Sequence, residues 1–319
     1  MAKSSEIVVL SGGVGGARFV RGLVEVVPPS EVTVVGNVGD DAEVLGLHVS
    51  PDLDSLLYTL ANIHDEERGW GRRRESWNAL GTAKELGDDE TWFQLGDRDI
   101  GLHLVRTKAL RAGEPLSAVT ARAATAFGLE LRLLPATDDR LRTIVETPAG
   151  AFSLQEWFVR RRHKDKVDGL RFEGAAFARP APGVLEAIEQ ASLVVIAPSN
   201  PYISIWPILA VQAIRLAVQR TRAPVVAVSP VIGGKAVKGP AGAMLARLAG
   251  GTSPAHVAGC YLALLDALVI DQADAAGAQG LEEVRVRPHV TRTLMKDRRT
   301  TRLLAEAVLE AARGGVMRE

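Results

Sequence analysis

The chain has 319 residues, 47% of them hydrophobic and 24% charged, and its 38 Lys+Arg balance its 38 Asp+Glu to a formal net charge of zero. That composition allows a full hydrophobic core and excludes both a disordered chain and the basic surplus of a general nucleic-acid binder. Cys260 is the single cysteine, which excludes an internal disulfide scaffold and a multi-cysteine metal site.

Met1 to Glu6 lacks the apolar stretch of a signal peptide, and no apolar run reaches the roughly 18 residues that span a bilayer. A cytoplasmic protein with no membrane role is the expectation. Glu6 to Leu10 is a Val/Ile-rich run that ends in glycines, the pattern of a buried parallel strand. From Ala17, the residues Phe19, Val20, Leu23, Val26 and Val27 repeat at helical spacing until Pro28-Pro29, and Val32 to Val35 forms a second strand. The chain therefore opens with a βαβ unit.

Leu53 to Leu86 and Gly101 to Phe127 read as mostly helical, and Leu131 to Pro135 and Thr143 to Thr147 as strands. Alternation then resumes. Strands are expected at Leu193 to Ala197, Pro224 to Ser229, Ala267 to Ile270 and Val284 to Arg287, and helices at Ile203 to Gln219, Gly242 to Leu248 and Thr300 to Ala312. Strand–helix alternation at both ends predicts an α/β, Rossmann-like, doubly wound and mainly parallel sheet assembled from distant parts of the chain. We read residues 1–319 as one domain with a mostly helical insertion at about 55–128.

In an open parallel sheet, ligands sit at the carboxyl ends of the strands, so the loops there are the candidates. Ser11 to Gly16 carries glycines at Gly12, Gly13, Gly15 and Gly16, which suit an anion held by backbone N–H groups at a helix N-terminus, or close helix–sheet packing. The spacing matches neither the dinucleotide fingerprint nor a P-loop. Asn37 to Asp41 contributes Asp40 and Asp41, with Pro51-Asp52-Leu53-Asp54 shortly beyond. Grouped carboxylates repel one another unless a cation or donor intervenes, and oxygen-only ligands suit Mg²⁺. Asp52 reads mainly as a cap for the helix starting near Ser55, and Asp54 mainly as the ligand.

Ser199 and Asn200, between Pro198 and Pro201, supply a hydroxyl and an amide on a stiff loop, and as a turn alone this loop would be ordinary. Ser229 to Lys235, with Gly233, Gly234 and Lys235 and continuing to Gly242, reads either as a second anion site or as a solvated loop. Arg98, between Asp97 and Asp99, is either a surface charge cluster or an arginine held for substrate. The six histidines show no metal-ligand spacing, and no nucleophile elbow is present.

As an ordered set, Ser11-Gly12-Gly13-Val14-Gly15-Gly16, Asn37-x-x-Asp40-Asp41, Pro51-Asp52-Leu53-Asp54, Leu95 to Asp99, Pro198 to Pro201 and Ser229 to Gly242 closely resemble the 2-phospho-L-lactate transferase family, from residue 7 to about 310. The resemblance implies an enzyme of coenzyme F-420 biosynthesis. In that reaction the ribityl hydroxyl of the deazaflavin Fo attacks the phosphorus of a guanosine diphosphate-activated three-carbon acid, and GMP leaves. It also implies a usually homodimeric, Mg²⁺-dependent protein acting on small molecules.

Carried over by residue, Gly12, Gly13, Gly15, Gly16, Ser199, Asn200, Gly233 and Lys235 would hold the nucleotide diphosphate. Asp40, Asp41 and Asp54 would lie at the metal and act catalytically, Asp54 and Arg98 would contact Fo, and Asp54 would take the hydroxyl proton. Val14 and Gly16 stand where archaeal-type members often carry threonines. The Ala- and Arg-rich composition resembles the actinobacterial branch, whose expected donor is the enolpyruvyl rather than the lactyl derivative. Two rivals differ in class. The gluconeogenesis-factor type is a nucleotide-sugar-binding regulatory protein that shares the glycine loop but has no reason to carry Pro51 to Asp54 together with Gly96 to Asp99. A nicotinamide dehydrogenase would place an acid where Gly36-Asn37 stands.

Overall fold

The computed structural model describes residues 6–261 and 263–314, so the reading of Met1 to Ser5 lies outside the described residues. Seven strands form one parallel sheet in the spatial order Arg287–Thr291, Ala267–Asp271, Val225–Val228, Leu193–Ile196, Ile7–Ser11 (β1), Val32–Gly36 (β2) and Arg132–Pro135. The inner strands are buried on both faces, which is why they appear in sequence as continuous Val/Ile/Leu runs. This is the doubly wound α/β architecture expected. Strand order runs outward in opposite directions from β1, so the topological switch point lies between β1 and Leu193–Ile196. In sheets of this kind ligands bind outside the carboxyl ends of the two strands that flank such a point.

Helix α1 (Gly13–Leu23) starts inside the glycine run, four residues before its predicted start at Ala17. It buries Ala17, Phe19, Val20 and Leu23 against the sheet. Its partner α2 (Pro51–Leu60) is a core helix, with Leu53, Leu56 and Leu57 fully buried. The chain then runs without helix to α3 (Asn78–Glu85), followed by α4 (Asp97–Arg111) and α5 (Leu116–Ala126).

Three regions depart from the expected pattern. Arg142–Thr147 does not join the main sheet. It is the middle strand of a separate antiparallel sheet, between Gly150–Ser153 and Gly169–Glu173. That sheet is tied to the Asn37–Asp41 loop by Thr143 N–H donating to the Gly39 carbonyl at 2.7 Å, and Gln155, two residues past the Gly150–Ser153 strand, adds a bond from Nε2 to the Asp40 carbonyl at 3.1 Å.

The helix expected over Ile203 to Gln219 is broken. A π-turn at Pro201–Ile205 leads into Trp206–Ala210, and Gln212–Arg220 follows at a 91° bend. Pro207 reinitiates the first piece, and Val211 at ψ 98° leaves helical space before the second. No single helix among the described residues is long and apolar enough to cross a membrane.

The strand expected at Val284 to Arg287 sits instead at Arg287–Thr291. Arg285, at φ 58°, closes the preceding helix, and Pro288 is tolerated because the strand lies at the sheet edge.

Candidate active site

Helix α1 begins at the carboxyl end of β1, beside the switch point, with Gly12 as its N-cap and no acidic residue in its own first turn. The glycines serve several needs. A Cβ on Gly16 would lie 2.3 Å from Ser11 Oγ and 2.5 Å from Ser199 Oγ, and one on Gly15 would lie 3.0 Å from the Pro198 carbonyl oxygen. Gly13 sits at φ +68°, which favours glycine. Ser199 bridges the two loops, its hydroxyl donating to the Gly12 carbonyl at 2.7 Å and accepting from Gly12 N–H at 3.4 Å. The packing reading thus accounts for Gly12, Gly15 and Gly16. The first-turn N–H groups beyond Gly13 keep their lack of an intrahelical acceptor, as at any helix start.

The helix terminus is met by a carboxylate of the chain itself. Asp52 accepts from the Gly13 backbone N–H and from Asn37 Nδ2 at 2.9 Å. A Cβ on Gly12 would come within 2.3 Å of Asp52 Oδ2. Asp52 was expected to cap its own helix α2; it lies on the far side of that helix's first turn and neutralises α1 instead, because the two helices pack side by side. Asn37 holds this corner, with Nδ2 also donating to the Ile203 carbonyl at 3.1 Å and Oδ1 accepting from Gly39 N–H at 2.7 Å.

Asp40 lies against Asp52, and Asp41 lies beyond it. All three carboxylates are buried. Burial raises the Asp40 carboxyl well above the ordinary range, with the charges of Asp52 and Asp41 adding to it. Burial also lifts Asp52 to about 6, against the lowering effect of hydrogen bonds from Asn37, Gly13 and Asp40. The pair therefore shares a proton across the hydrogen bond between them. Asp41 Oδ2 accepts from Ser50 Oγ and faces His48 Nε2, each at 2.9 Å. Oδ1 of Asp40 and Oδ1 of Asp41 are buried without a hydrogen-bond partner among the described residues.

Asp54 is placed differently from the expectation. It forms a two-pronged ion pair with the buried Arg106 of α4, Nη1 to Oδ2 at 3.0 Å and Nη2 to Oδ1. Ser50 N–H also donates to Asp54 Oδ2 at 3.3 Å. His103, one turn before Arg106, is held at about 4 mainly by burial and takes a hydrogen bond from Arg106 on Nδ1 at 3.3 Å. Ser50 links this ion pair to the acidic loop, since its N–H donates to Asp54 and its hydroxyl donates to Asp41.

The remaining expected residues are dispersed. Asn200 caps its own turn through Tyr202 N–H at 2.9 Å and reaches Met244 Sδ at 3.4 Å. The N–H groups of Gly233 and Gly234 are both taken by Asp274, at 2.9 and 3.0 Å, so the turn's remaining offer to a ligand is the exposed Lys235. Arg98 is exposed in the first turn of α4 and pairs with neither neighbouring acid. Asp97 accepts from Ser76, Ala79 and Asn78 and is held at about 2, while Asp99 is buried, interacts with Tyr58 and is lifted by burial to about 6. Arg106, His103, His48 and Asp274 carried no sequence signal. Each acquires its role from a partner on another element.

Residues 7–306 match the family described as 2-phospho-L-lactate transferase CofD. Proteins named phosphoenolpyruvate transferase align over almost the full length. The one from Nocardia farcinica is 45% identical over 322 residues, 97% of this chain and 95% of the relative. Those from Streptomyces griseus (43%, 96% and 98% covered) and Mycolicibacterium smegmatis (40%, 96% and 98% covered) are similar. Among solved structures, a Bacillus halodurans protein of the UPF0052 family superposes with a TM-score of 0.67 at 16% identity over 97% of this chain, a likeness of fold.

Proposed function

The chain belongs to the 2-phospho-L-lactate transferase CofD family and is a transferase enzyme, and we propose that it moves a phosphoenolpyruvyl group from its guanosine diphosphate-activated form to the ribityl hydroxyl of Fo in coenzyme F-420 biosynthesis. The single observation that supports this chemistry is a row of three buried carboxylates, Asp52, Asp40 and Asp41, leading away from the N-terminus of α1 at the switch point. A diphosphate at the first turn of α1 would place its outer phosphorus over that row. Transfer to a hydroxyl needs positioning and charge neutralisation there rather than a covalent nucleophile.

Mg²⁺ fits the two partnerless oxygens on Asp40 and Asp41. Among the described residues no group of three His, Cys, Asp or Glu side chains could hold a metal, so phosphate and water would have to supply the other ligands. When bound, the ion would neutralise charge on the phosphate oxygens. Asp54, expected as a metal ligand and proton acceptor, serves by orientation because of its pairing with Arg106.

The hydroxyl proton passes to Asp52, whose carboxyl is lifted to about 6 and so is matched to accept it near neutral pH. The oxygen–phosphorus bond to Fo forms as the bond to GMP breaks, and GMP departs with the electron pair. Gly12 to Gly16, Ser199 and Lys235 hold the nucleotide side, the exposed Arg98 faces the acceptor, and the working unit is a homodimer.

The test is to incubate the protein with Fo, Mg²⁺ and each guanosine diphosphate-activated acid and to follow GMP release. We expect the enolpyruvyl donor to be preferred. Absence of GMP from both donors, together with tight binding of a nucleotide sugar, overturns the reading in favour of a regulatory protein.

A further inference from the structure

Arg142 opens the central strand of the antiparallel sheet, whose neighbouring Thr143 is bonded directly to Gly39 of the acidic loop. Side chains alternate along that strand. Thr143 and Val145 turn inward, while Arg142 lies partly buried on the other face. Among the described residues its guanidinium makes one hydrogen bond, from Nη1 to the neighbouring Leu141 carbonyl at 2.9 Å, and no ion pair. The charge acting on it most strongly after desolvation is Asp41, followed by Arg140 and Asp40. Desolvation pulls its proton affinity down, the mark of a guanidinium removed from water without a counter-ion in contact.

The order of these groups is what gives this arginine a role. Asp52 accepts from Gly13 at the N-terminus of α1, Asp40 is hydrogen-bonded to Asp52, and Arg142, beside Thr143 whose N–H reaches Gly39 of the same loop, feels Asp41 more strongly than Asp40. A guanosine diphosphate-activated acid has the matching order: guanosine, inner phosphate, outer phosphorus, three-carbon acid. With the inner phosphate at the glycine turn and the outer phosphorus over the carboxylate row, the terminal carboxylate falls at the Arg142 end. The other arginine buried in this region, Arg106, is already paired with Asp54 and cannot serve.

We infer that Arg142 is the specificity residue that grips the carboxylate of the three-carbon acid. The planar guanidinium fork matches a planar carboxylate, and the pairing supplies the contact the half-buried arginine lacks. It also neutralises a negative group that the acidic row would otherwise repel. This inference rests on the transferase reading above.

The test compares wild type with Arg142→Met and Arg142→Lys in the GMP-release assay, with GDP binding measured alongside. GDP carries the diphosphate and no carboxylate. For Arg142→Met, KM for the activated acid should rise about 100-fold, the scale of a charge-assisted bidentate contact, while the Kd of GDP and the KM for Fo stay within about twofold. Arg142→Lys should recover part of the loss, since it restores the charge without the fork. An unchanged donor KM in Arg142→Met overturns the assignment, as does an equal loss of GDP affinity, which would mean that Arg142 serves the phosphates or only balances the acidic row. Should Arg142→Met fail to fold, Arg142→Gln is read in the same way. Wild type that releases no GMP from either donor defeats the transferase reading and this inference with it; wild type that turns over beside an Arg142→Met of normal donor KM defeats this inference alone.

Discussion

Two glycine turns in this molecule carry the same sequence promise and end differently. Gly12 to Gly16 and Gly233-Gly234 both present backbone N–H groups to an anion, and in both a carboxylate of the chain answers, Asp52 at the first and Asp274 at the second. Asp274 sits near the surface beside an exposed glycine and closes a tight turn. Asp52 is buried in a row with Asp40 and Asp41, where desolvation, with a smaller addition from the charge of Asp41, raises its proton affinity to about 6. The lesson is that a crowded, dehydrated anion at a glycine nest has its proton affinity shifted toward neutrality. A solvated partner leaves the same nest a piece of structure.

Variants can break or sharpen that contrast. The largest effect is expected for Asp52→Asn, which should lower kcat/KM by roughly 10³-fold through loss of the proton acceptor and preserve the fold. Asp274→Asn should stay within about twofold of wild type in the same assay, and a comparable loss there would erase the distinction. Next, Gly16→Ala forces a methyl against Ser11 and Ser199 and should destabilise by about 3 kcal/mol in denaturant titration. Gly233→Ala meets nothing closer than Ala273 at 3.9 Å, and its φ of +57° costs about 1 kcal/mol.

The pH dependence of stability separates the two turns as well. Asp52 has a folded value of about 6 against an ordinary 3.8, so between those values the unfolded chain has released a proton that the folded chain retains. Stability in chelating buffer should therefore fall by roughly 2–3 kcal/mol as pH rises from about 4 to about 6, and Asp52→Asn should flatten most of that slope in thermal melts. The smallest effect is expected for Asp274→Ala, which frees two N–H groups close to water and should lower stability by about 1 kcal/mol with no change in this pH profile.

Much of the fold was legible because its strands are buried on both faces and appear as uninterrupted Val/Ile/Leu runs, as in Ile7–Ser11 and Val225–Val228. The antiparallel sheet was harder to see. Gly150–Ser153 is largely exposed and carries no apolar alternation, so of this sheet the sequence shows only the strand expected at Thr143 to Thr147. The break at Val211 was hidden because the residues on both sides of it are apolar and fit one continuous helical period.

At the site, Asp40, Asp41 and the glycine turn stood out by composition, whereas the division of labour between Asp52 and Asp54 did not. Two residues apart on α2, they face opposite neighbours: Asp52 faces α1, and Asp54 faces Arg106 on α4. No local pattern distinguishes a capping aspartate from one that caps a different helix.

By itself, then, the sequence determined the strand–helix alternation, the glycine turn after β1 and the presence of carboxylates at the sheet's carboxyl edge. These depend on residue type and on neighbours a few positions away. Tertiary structure alone decided which carboxylate meets the helix terminus, which is neutralised by Arg106, and that Arg142 stands beside the acidic loop without a counter-ion in contact. Those outcomes follow from burial and from charges brought together across distant elements, and in a low-dielectric interior such long-range neighbours set the proton affinities on which the chemistry depends.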